Sequence, residues 1–180
     1  LQKQRKTQPN TAILGSRDRQ IKREIWNSRS PRSPPRNGSG RVGHGVSNTQ
    51  AKAIVTGGAR FIGSHLVDRL VDRDHDVIVL DNFSTGKARN LSHSQRRPNF
   101  QLARADVRRI PRSLLMGLKR VDRVVHLAAL TCVQESARDP VSTTNVNVFG
   151  TLNVLEAARV LKAERVIFAS SAAVYGTPRT

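Results

Sequence analysis

Residues 52–63 have the sequence Lys-Ala-Ile-Val-Thr-Gly-Gly-Ala-Arg-Phe-Ile-Gly, and this stretch decides the fold. Its first five residues form a short, apolar and β-branched run that stops at glycines, which is typical of a buried parallel strand. Beyond the glycines, apolar residues recur at helical spacing as far as Val71. The stretch therefore predicts a strand, a tight glycine-rich turn and a helix. Such a turn directs free backbone N–H groups and the positive end of a helix toward a phosphate.

The rest of the chain continues this alternation of strands and helices. We predict further strands at 76–80, 100–103, 121–127 and 165–170, and helices at 61–71, 110–118 and 141–161. Alternating elements of this kind are typical of a parallel sheet with helices on both faces. The predicted fold class is therefore α/β, a Rossmann-type doubly wound parallel sheet that is incomplete at its C-terminus.

Basic residues are concentrated near the start of the chain. Residues 1–50 hold 11 of the 31 Lys and Arg but only 2 of the 13 Asp and Glu, and the net charge of the chain is +18. They contain too little apolar surface to offset the entropy of ordering them. We therefore predict two parts, a disordered basic tail (1–50) and a folded domain (51–180).

Three interpretations of this tail remain open. It would bind nucleic acid through arginine–phosphate contacts, act as a transit peptide, or form a plain disordered extension. We favour the last, because runs of charge are usually just solvated and no nucleic-acid-binding motif accompanies this one.

Composition also excludes several classes of protein. The single cysteine, Cys132, excludes an internal disulfide framework, and we predict that it is a small buried residue or a free thiol. The five histidines show no metal-ligand spacing, and we predict that His126 simply ends a strand. No apolar run approaches the roughly 18 residues of a membrane span. We expect no metal site and a cytoplasmic location.

Asp81 ends the second predicted strand, where a ribose-binding carboxylate is expected after the glycine-rich turn. Its carboxylate would accept hydrogen bonds from the adenosine ribose and repel a 2′-phosphate, which favours NAD over NADP. The alternative is that Asp81 only caps a loop in a tight turn between strand and helix.

Five segments then carry a family resemblance. They are residues 56–63 (Thr-Gly-Gly-Ala-Arg-Phe-Ile-Gly), 81–86 (Asp-Asn-Phe-Ser-Thr-Gly), 105–107 (Ala-Asp-Val), 126–129 (His-Leu-Ala-Ala) and 170–176 (Ser-Ser-Ala-Ala-Val-Tyr-Gly). With them, the chain from residue 52 onward resembles the extended short-chain dehydrogenase/reductases, specifically the NAD-dependent nucleotide-sugar epimerases and dehydratases, with the UDP-glucose 4-epimerase group nearest. The resemblance implies a UDP-sugar substrate, and a homodimer formed through helices that include 141–161. In the epimerase reaction, hydride leaves the sugar C4 for NAD and returns to the opposite face of a keto intermediate. A dehydratase or decarboxylase reaction stays open.

The resemblance also implies which residues contact NAD. They are Gly57, Arg60, Phe61, Ile62 and Gly63 at the pyrophosphate, Asp81 and Asn82 at the ribose, Asp106 and Val107 at the adenine, and Leu127, Ala128, Ala129 and Asn147 along the rest of the cofactor. For Asn147 the alternative is an asparagine inside a helix that bonds neighbouring backbone.

Arg60 departs from the family pattern T-G-x-x-G-x-x-G, in which its position is glycine. Its side chain would block close approach of the pyrophosphate, or would demand a φ that arginine tolerates poorly. Alternatively, its guanidinium would pair with a phosphate. We favour the first interpretation, so that Arg60 weakens NAD binding relative to an Arg60→Gly variant.

Ser171 matches the family serine that hydrogen-bonds the reacting sugar hydroxyl. It follows the fifth predicted strand, at the carboxyl edge where open α/β sheets bind ligands; the alternative is a serine that satisfies backbone groups at a strand end. The resemblance further implies a Tyr-x-x-x-Lys pair some twenty residues beyond the Val-Tyr-Gly turn, yet Tyr175 belongs to that turn and no lysine follows it. We therefore expect these residues to be the cofactor-binding portion of such an enzyme, inactive alone toward sugar nucleotides. The alternative is an inactive or non-catalytic NAD-binding module.

Overall fold

Five strands form one parallel sheet in the computed structural model, which describes residues 51–118 and 120–176; the predicted tail, residues 1–50, lies outside them. The strands are β1 (Lys52–Thr56), β2 (Asp76–Asp81), β3 (Phe100–Arg104), β4 (Arg123–His126) and β5 (Arg165–Phe168). Their spatial order is β3-β2-β1-β4-β5, and every neighbouring pair is parallel. This order is that of doubly wound dinucleotide-binding sheets, so the predicted fold class is confirmed. The order reverses between β1 and β4, which opens a crevice at their carboxyl ends.

Helices connect the strands. They are α1 (Phe61–Val71), α2 (Arg112–Met116), α3 (Val133–Arg138), α4 (Pro140–Thr144) and α5 (Gly150–Val160), with a π-helical turn (Asn145–Phe149) between α4 and α5. The helix predicted at 141–161 is thus one helical run with a wider turn inside it. The sequence analysis missed α3. It ends where the Asp139 carboxylate accepts a hydrogen bond from the Ser142 N–H and Pro140 begins the next helix.

Alternation along the strands distributes apolar side chains between two cores. Ile78 and Leu80 pack in a cluster with α5, whereas Val77 and Val79 pack in a cluster with α1 on the other face of the sheet. Because both faces are covered, the middle residues of the central strands are apolar, as the sequence predicted.

Two residues singled out in the sequence have clear positions. His126 is the last residue of β4, as predicted. Cys132 is exposed and unpaired, so the prediction of a free thiol holds and that of a buried residue is wrong. Within the part of the chain that the structure describes, no three His, Cys, Asp or Glu side chains group as metal ligands, and no helix has the length and apolarity to cross a bilayer.

Candidate cofactor cleft

The glycine-rich loop between β1 and α1 presses closely against the segment after β4. Gly57 has a φ of +71°, and a Cβ added there would lie 2.7 Å from the backbone nitrogen of Ala128. A Cβ at Gly63 would lie 2.3 Å from the Gly57 carbonyl oxygen. Both positions therefore need glycine, one for its backbone conformation and both for space. The glycines bring the loop against the neighbouring segment and bring α1 against the loop.

The start of α1 supplies the donors that a pyrophosphate requires. Its first backbone N–H groups, from Phe61 onward, have no acceptor one turn earlier in the helix. Arg60 is the N-cap residue, and its side chain does not cap the helix. Phe61, Ile62 and Gly63 line a cavity of about 760 Å³ that opens at the carboxyl ends of β1, β4 and β5. A phosphate at this position would meet free N–H donors and the positive end of the helix, so these residues fit a dinucleotide.

Thr56 anchors the segment after β4, which forms the opposite wall. Its hydroxyl oxygen is fully buried and accepts hydrogen bonds from the N–H groups of Leu127 and Ala128, both at 3.3 Å. The same oxygen lies 2.6 Å from Nδ1 of His126, its register partner on β4. One buried hydroxyl therefore connects the ends of two adjacent strands and orients the backbone that borders the cleft.

The hydrogen bonds of His126 determine its tautomer. Thr151 donates its hydroxyl hydrogen to the Asn147 carbonyl at 2.6 Å, so at 3.0 Å it accepts from Nε2–H of His126. Nδ1 is then unprotonated and accepts the hydroxyl hydrogen of Thr56. Burial of the imidazole lowers the pKa of His126 below its ordinary value, which keeps it neutral. His126 thus serves as a neutral bridge between β1 and the helical run.

Asn147 clamps the same segment from the helix side. Its Oδ1 accepts from the Leu130 N–H at 2.8 Å, and its Nδ2 donates to the Leu130 carbonyl at 2.9 Å. The alternative considered for Asn147, an asparagine inside a helix that bonds neighbouring backbone, is present, because both amide atoms bond backbone, that of Leu130 on the segment after β4. Asn147 also lines the large cavity, so its predicted position beside a cofactor is retained as a prediction.

The predicted ribose end is a network of carboxylates and amides. Asp81 is buried, and its two oxygens accept from the N–H groups of Ala59 (2.9 Å) and Phe83 (2.8 Å). Asp81 therefore does cap the loop, as the alternative held. Each oxygen still has a free lone pair, so the ribose contact remains a prediction.

Asn82 extends this network by donating to Asp106 at 2.9 Å. Hydrogen bonds from Arg108, strengthened by its charge, lower the pKa of Asp106 to about 2. Val107 is buried in the core cluster next to it. Asn82, Asp106 and Val107 border a second, smaller cavity of about 50 Å³.

Arg60 has an ordinary backbone, with φ −92° and ψ 177°. The expectation that arginine would need an unfavourable φ here is therefore wrong. Its guanidinium instead reaches across the cleft, where Nη1 donates to the Ala129 carbonyl at 2.7 Å and Nη2 to the Thr131 hydroxyl at 3.3 Å. The side chain thus joins the two walls between which a pyrophosphate would lie.

Ser171 lies beyond β5 on the rim of the large cavity. Its Oγ accepts a hydrogen bond from the Ala173 N–H at 3.2 Å, which starts a 3-10 turn at Ala172–Tyr175. The backbone role considered as the alternative is therefore present. Because Oγ acts only as an acceptor in that bond, its hydroxyl hydrogen is left for a ligand, and the predicted sugar contact stands as a prediction.

A family model described as GDP-mannose 4,6 dehydratase matches residues 54–180. The chain belongs to this family. The resemblance to NAD-dependent epimerases and dehydratases of the extended short-chain dehydrogenase/reductases is thereby confirmed.

Relatives of this GDP-mannose 4,6 dehydratase family member include a putative UDP-glucose 4-epimerase from Methanocaldococcus jannaschii, 42% identical over 126 residues. A UDP-glucuronic acid decarboxylase from Arabidopsis thaliana is 42% identical over 140 residues. The alignments cover 69% and 78% of this chain but only 40% and 31% of the relatives. The chain therefore spans well under half the length of these curated relatives.

Among solved structures, the family member is similar to a UDP-glucose 4-epimerase from Stenotrophomonas maltophila, crystallised with NAD and formylated UDP-arabinopyranose. The TM-score is 0.64 at 30% identity, with 72% of this chain and 40% of that chain covered. The two relatives and the solved structure named above are thus described as UDP-glucose 4-epimerases or a UDP-glucuronic acid decarboxylase.

Sequence reasoning missed the residues that position the cleft walls of this family member. They are Thr56, His126, Leu130, Thr131 and Thr151. For two of them a signal existed, since Thr56 and His126 are the polar last residues of neighbouring parallel strands and therefore meet at one edge of the sheet. Nothing in the local sequence marks Leu130 or Thr131 as partners of residues 17 and 71 positions away.

Proposed function

We propose that residues 51–180 form the NAD-binding portion of a nucleotide-sugar epimerase or dehydratase, and that its reaction is the 4-epimerisation of a UDP-sugar. The observation that carries the proposal is the cleft itself. It lies at the reversal of strand order, starts at a helix N-terminus rich in unpaired N–H donors, and ends at Ser171. Similarity to UDP-glucose 4-epimerases supports the substrate class.

The choice of NAD over NADP rests on the acidic end of the cleft. Asp81 and Asp106 both border the smaller cavity, and the pKa of about 2 keeps Asp106 ionised at any physiological pH. A 2′-phosphate placed beside these carboxylates would be repelled, whereas ribose hydroxyls would find acceptors. The chemistry that NAD supplies when bound is reversible acceptance of a hydride from C4 of the sugar.

Within this portion, Ser171 is the residue proposed to act on the sugar. Its Oγ is oriented by the Ala173 N–H, so its hydrogen is available to hold the reacting hydroxyl near the cofactor end of the cavity. The neighbouring wall runs from His126 to Leu130. Thr56 and Asn147 hold its backbone in place, and its mostly apolar side would lie along the cofactor. In this proposal, Ser171 holds the sugar, and the wall orients the cofactor.

Titration of the 180-residue chain with NAD and NADP in a calorimeter tests the proposal. We expect saturable binding of NAD and at least tenfold weaker binding of NADP. Absence of NAD binding by a chain that is folded by circular dichroism would refute it. The Ser171 proposal needs the longer protein, in which Ser171→Ala should lower kcat for UDP-sugar 4-epimerisation and leave NAD affinity unchanged.

A second candidate is a non-catalytic NAD-binding module. The observation that favours it is Arg60, which stands where the family has glycine and whose guanidinium crosses the cleft. A chain extended to include a Tyr-x-x-x-Lys pair distinguishes the two candidates, because only the enzyme would interconvert UDP-glucose and UDP-galactose.

A further inference from the structure

Arg60 connects the two walls of the cleft at one point. Its charged Nη1–H donates to a half-buried carbonyl, that of Ala129, at 2.7 Å, a short distance for such a bond. The second bond, to the exposed hydroxyl of Thr131, is longer at 3.3 Å. The guanidinium is therefore engaged with protein atoms, and the main engagement is with Ala129.

This bridge lies where the two cavities adjoin. The larger, of about 760 Å³, and the smaller, of about 50 Å³, have five lining residues in common, which are Gly57, Arg60, Ala128, Ala129 and Leu130. Arg60 is the one among them with a long side chain. The volume of the smaller cavity suffices for only a few water molecules.

A dinucleotide has to cross this partition. The candidate ribose ligands Asp81, Asn82 and Asp106 border the smaller cavity, whereas Asn147 and Ser171 border the larger one. The N–H donors at the start of α1 follow Arg60 directly in the chain, and their residues line the larger cavity. A pyrophosphate bound to those donors would occupy the space through which the guanidinium now reaches Ala129.

We propose that Arg60 is a strap across the cofactor cleft, which any ligand that carries a diphosphate must release and which one half of a dinucleotide need not disturb. The inference rests on the proposed NAD-binding function and deepens it, because it makes Arg60 a residue that determines ligand specificity. After release, the guanidinium pairs with the pyrophosphate in a solvent-open cleft.

The strap lowers NAD affinity overall. An ion pair exposed to water contributes little free energy, whereas a hydrogen bond from a charged donor to a half-buried carbonyl contributes more. Release therefore costs more than the new pairing returns. We expect removal of the guanidinium to tighten NAD binding by about tenfold, the part of one charge-assisted hydrogen bond that the new pairing does not return.

Calorimetric titrations of the full chain and of Arg60→Gly, Arg60→Ala and Thr131→Val variants test the strap. NAD and ADP-ribose should bind about tenfold tighter to both Arg60 variants, whereas adenosine, followed by NMR, should bind equally to all. Thr131→Val removes only the weaker bond, so it should tighten NAD binding by about twofold and add nothing in the Arg60→Gly background. Arg73→Ala is the charge-matched control, because Arg73 is exposed beyond the far end of α1.

Each outcome decides between ideas. Equal NAD affinity in wild type and Arg60→Ala would overturn the strap. Tighter NAD binding in Arg60→Gly alone would assign the effect to the Cβ of residue 60, and this result would overturn the strap as well. Weaker binding by Arg60→Ala would mean that the guanidinium serves the phosphates without a competing bond, which also overturns it. Failure of every folded variant to bind NAD would instead refute the proposed function.

Discussion

Replacing Thr56 by valine should destabilise the domain although the two side chains have nearly the same shape. Thr56 is fully buried, and its hydroxyl makes a 2.6 Å hydrogen bond to Nδ1 of His126 and accepts two longer ones from Leu127 and Ala128. Valine would leave a buried imidazole nitrogen without its donor and the Ala128 N–H without this acceptor, whereas the Leu127 N–H keeps its 3.1 Å bond to the carbonyl of residue 56. A buried polar group that loses its partner costs about 1–3 kcal/mol. Because the bonds at 3.3 Å are weak, we expect a total loss of about 2–3 kcal/mol.

Urea denaturation of the full chain, followed by far-UV circular dichroism, measures this loss. Thr56→Ser is the matched control, since it keeps the hydroxyl and removes one buried methyl group, which costs about 1 kcal/mol. A valine variant within about 0.5 kcal/mol of wild type, or a serine variant less stable than the valine variant, would refute the reasoning, because hydrogen bonding would then contribute less than packing. Nuclear magnetic resonance of the His126 ring should also show that Nδ1 loses its hydrogen bond in the valine variant only.

Three further predictions concern pH and association. Because burial lowers the pKa of His126 below the unfolded value of 6.5, the unfolded chain binds the additional proton. Stability should therefore be full above pH 6.5 and fall as the pH drops below it. Urea midpoints measured across this pH range should fall less steeply in His126→Gln. Removing the Arg108 guanidinium should raise the Asp106 pKa from about 2 toward 3.8, so that acid-induced protonation begins at a higher pH in an NMR titration of Arg108→Ala; an unchanged pKa would contradict the assigned cause. An exposed apolar face on the helical run, centred on Leu152 (59% exposed) with Val148 beside it, predicts a homodimer by light scattering, which Leu152→Glu should convert to monomer while Arg73→Ala does not.

The pattern of apolar residues was sufficient to predict the sheet, because successive side chains along a strand pack into cores on opposite faces. Alternation along β2 places Ile78 on one face and Val79 on the other, and helices cover both faces, so a continuous apolar run could only be a central parallel strand. The helix α3 escaped prediction because its six residues include no buried side chain, which leaves no amphipathic pattern to detect.

The glycine positions of the candidate cleft were predictable because backbone geometry alone defines them. Gly57 and Gly63 are such positions, since a Cβ at either one collides with backbone. Asp81 illustrates the limit, because the same strand-end carboxylate suits a ribose ligand and a loop cap, and the structure shows that it makes the cap bonds. A local pattern identifies a donor or an acceptor, whereas its partner is fixed by the tertiary contacts.

The wall after β4 depends on contacts from three residues, two of which, Thr56 and Arg60, belong to the glycine-rich stretch that decides the fold. Thr56 on β1 holds its backbone nitrogens, Asn147 in the π-helical turn clamps Leu130, and Arg60 ahead of α1 holds the Ala129 carbonyl. The first two contacts join groups that a bound dinucleotide would leave in place, whereas the third crosses the path of its pyrophosphate. Substitution at Thr56 or Asn147 should therefore alter stability and cofactor affinity together. Substitution at Arg60 removes a bond from the unliganded domain, so it should lower stability, by about 1.4 kcal/mol for a tenfold effect, while it raises cofactor affinity. These opposite signs distinguish a strap from a structural bond, and parallel urea and NAD titrations of the same variants measure both.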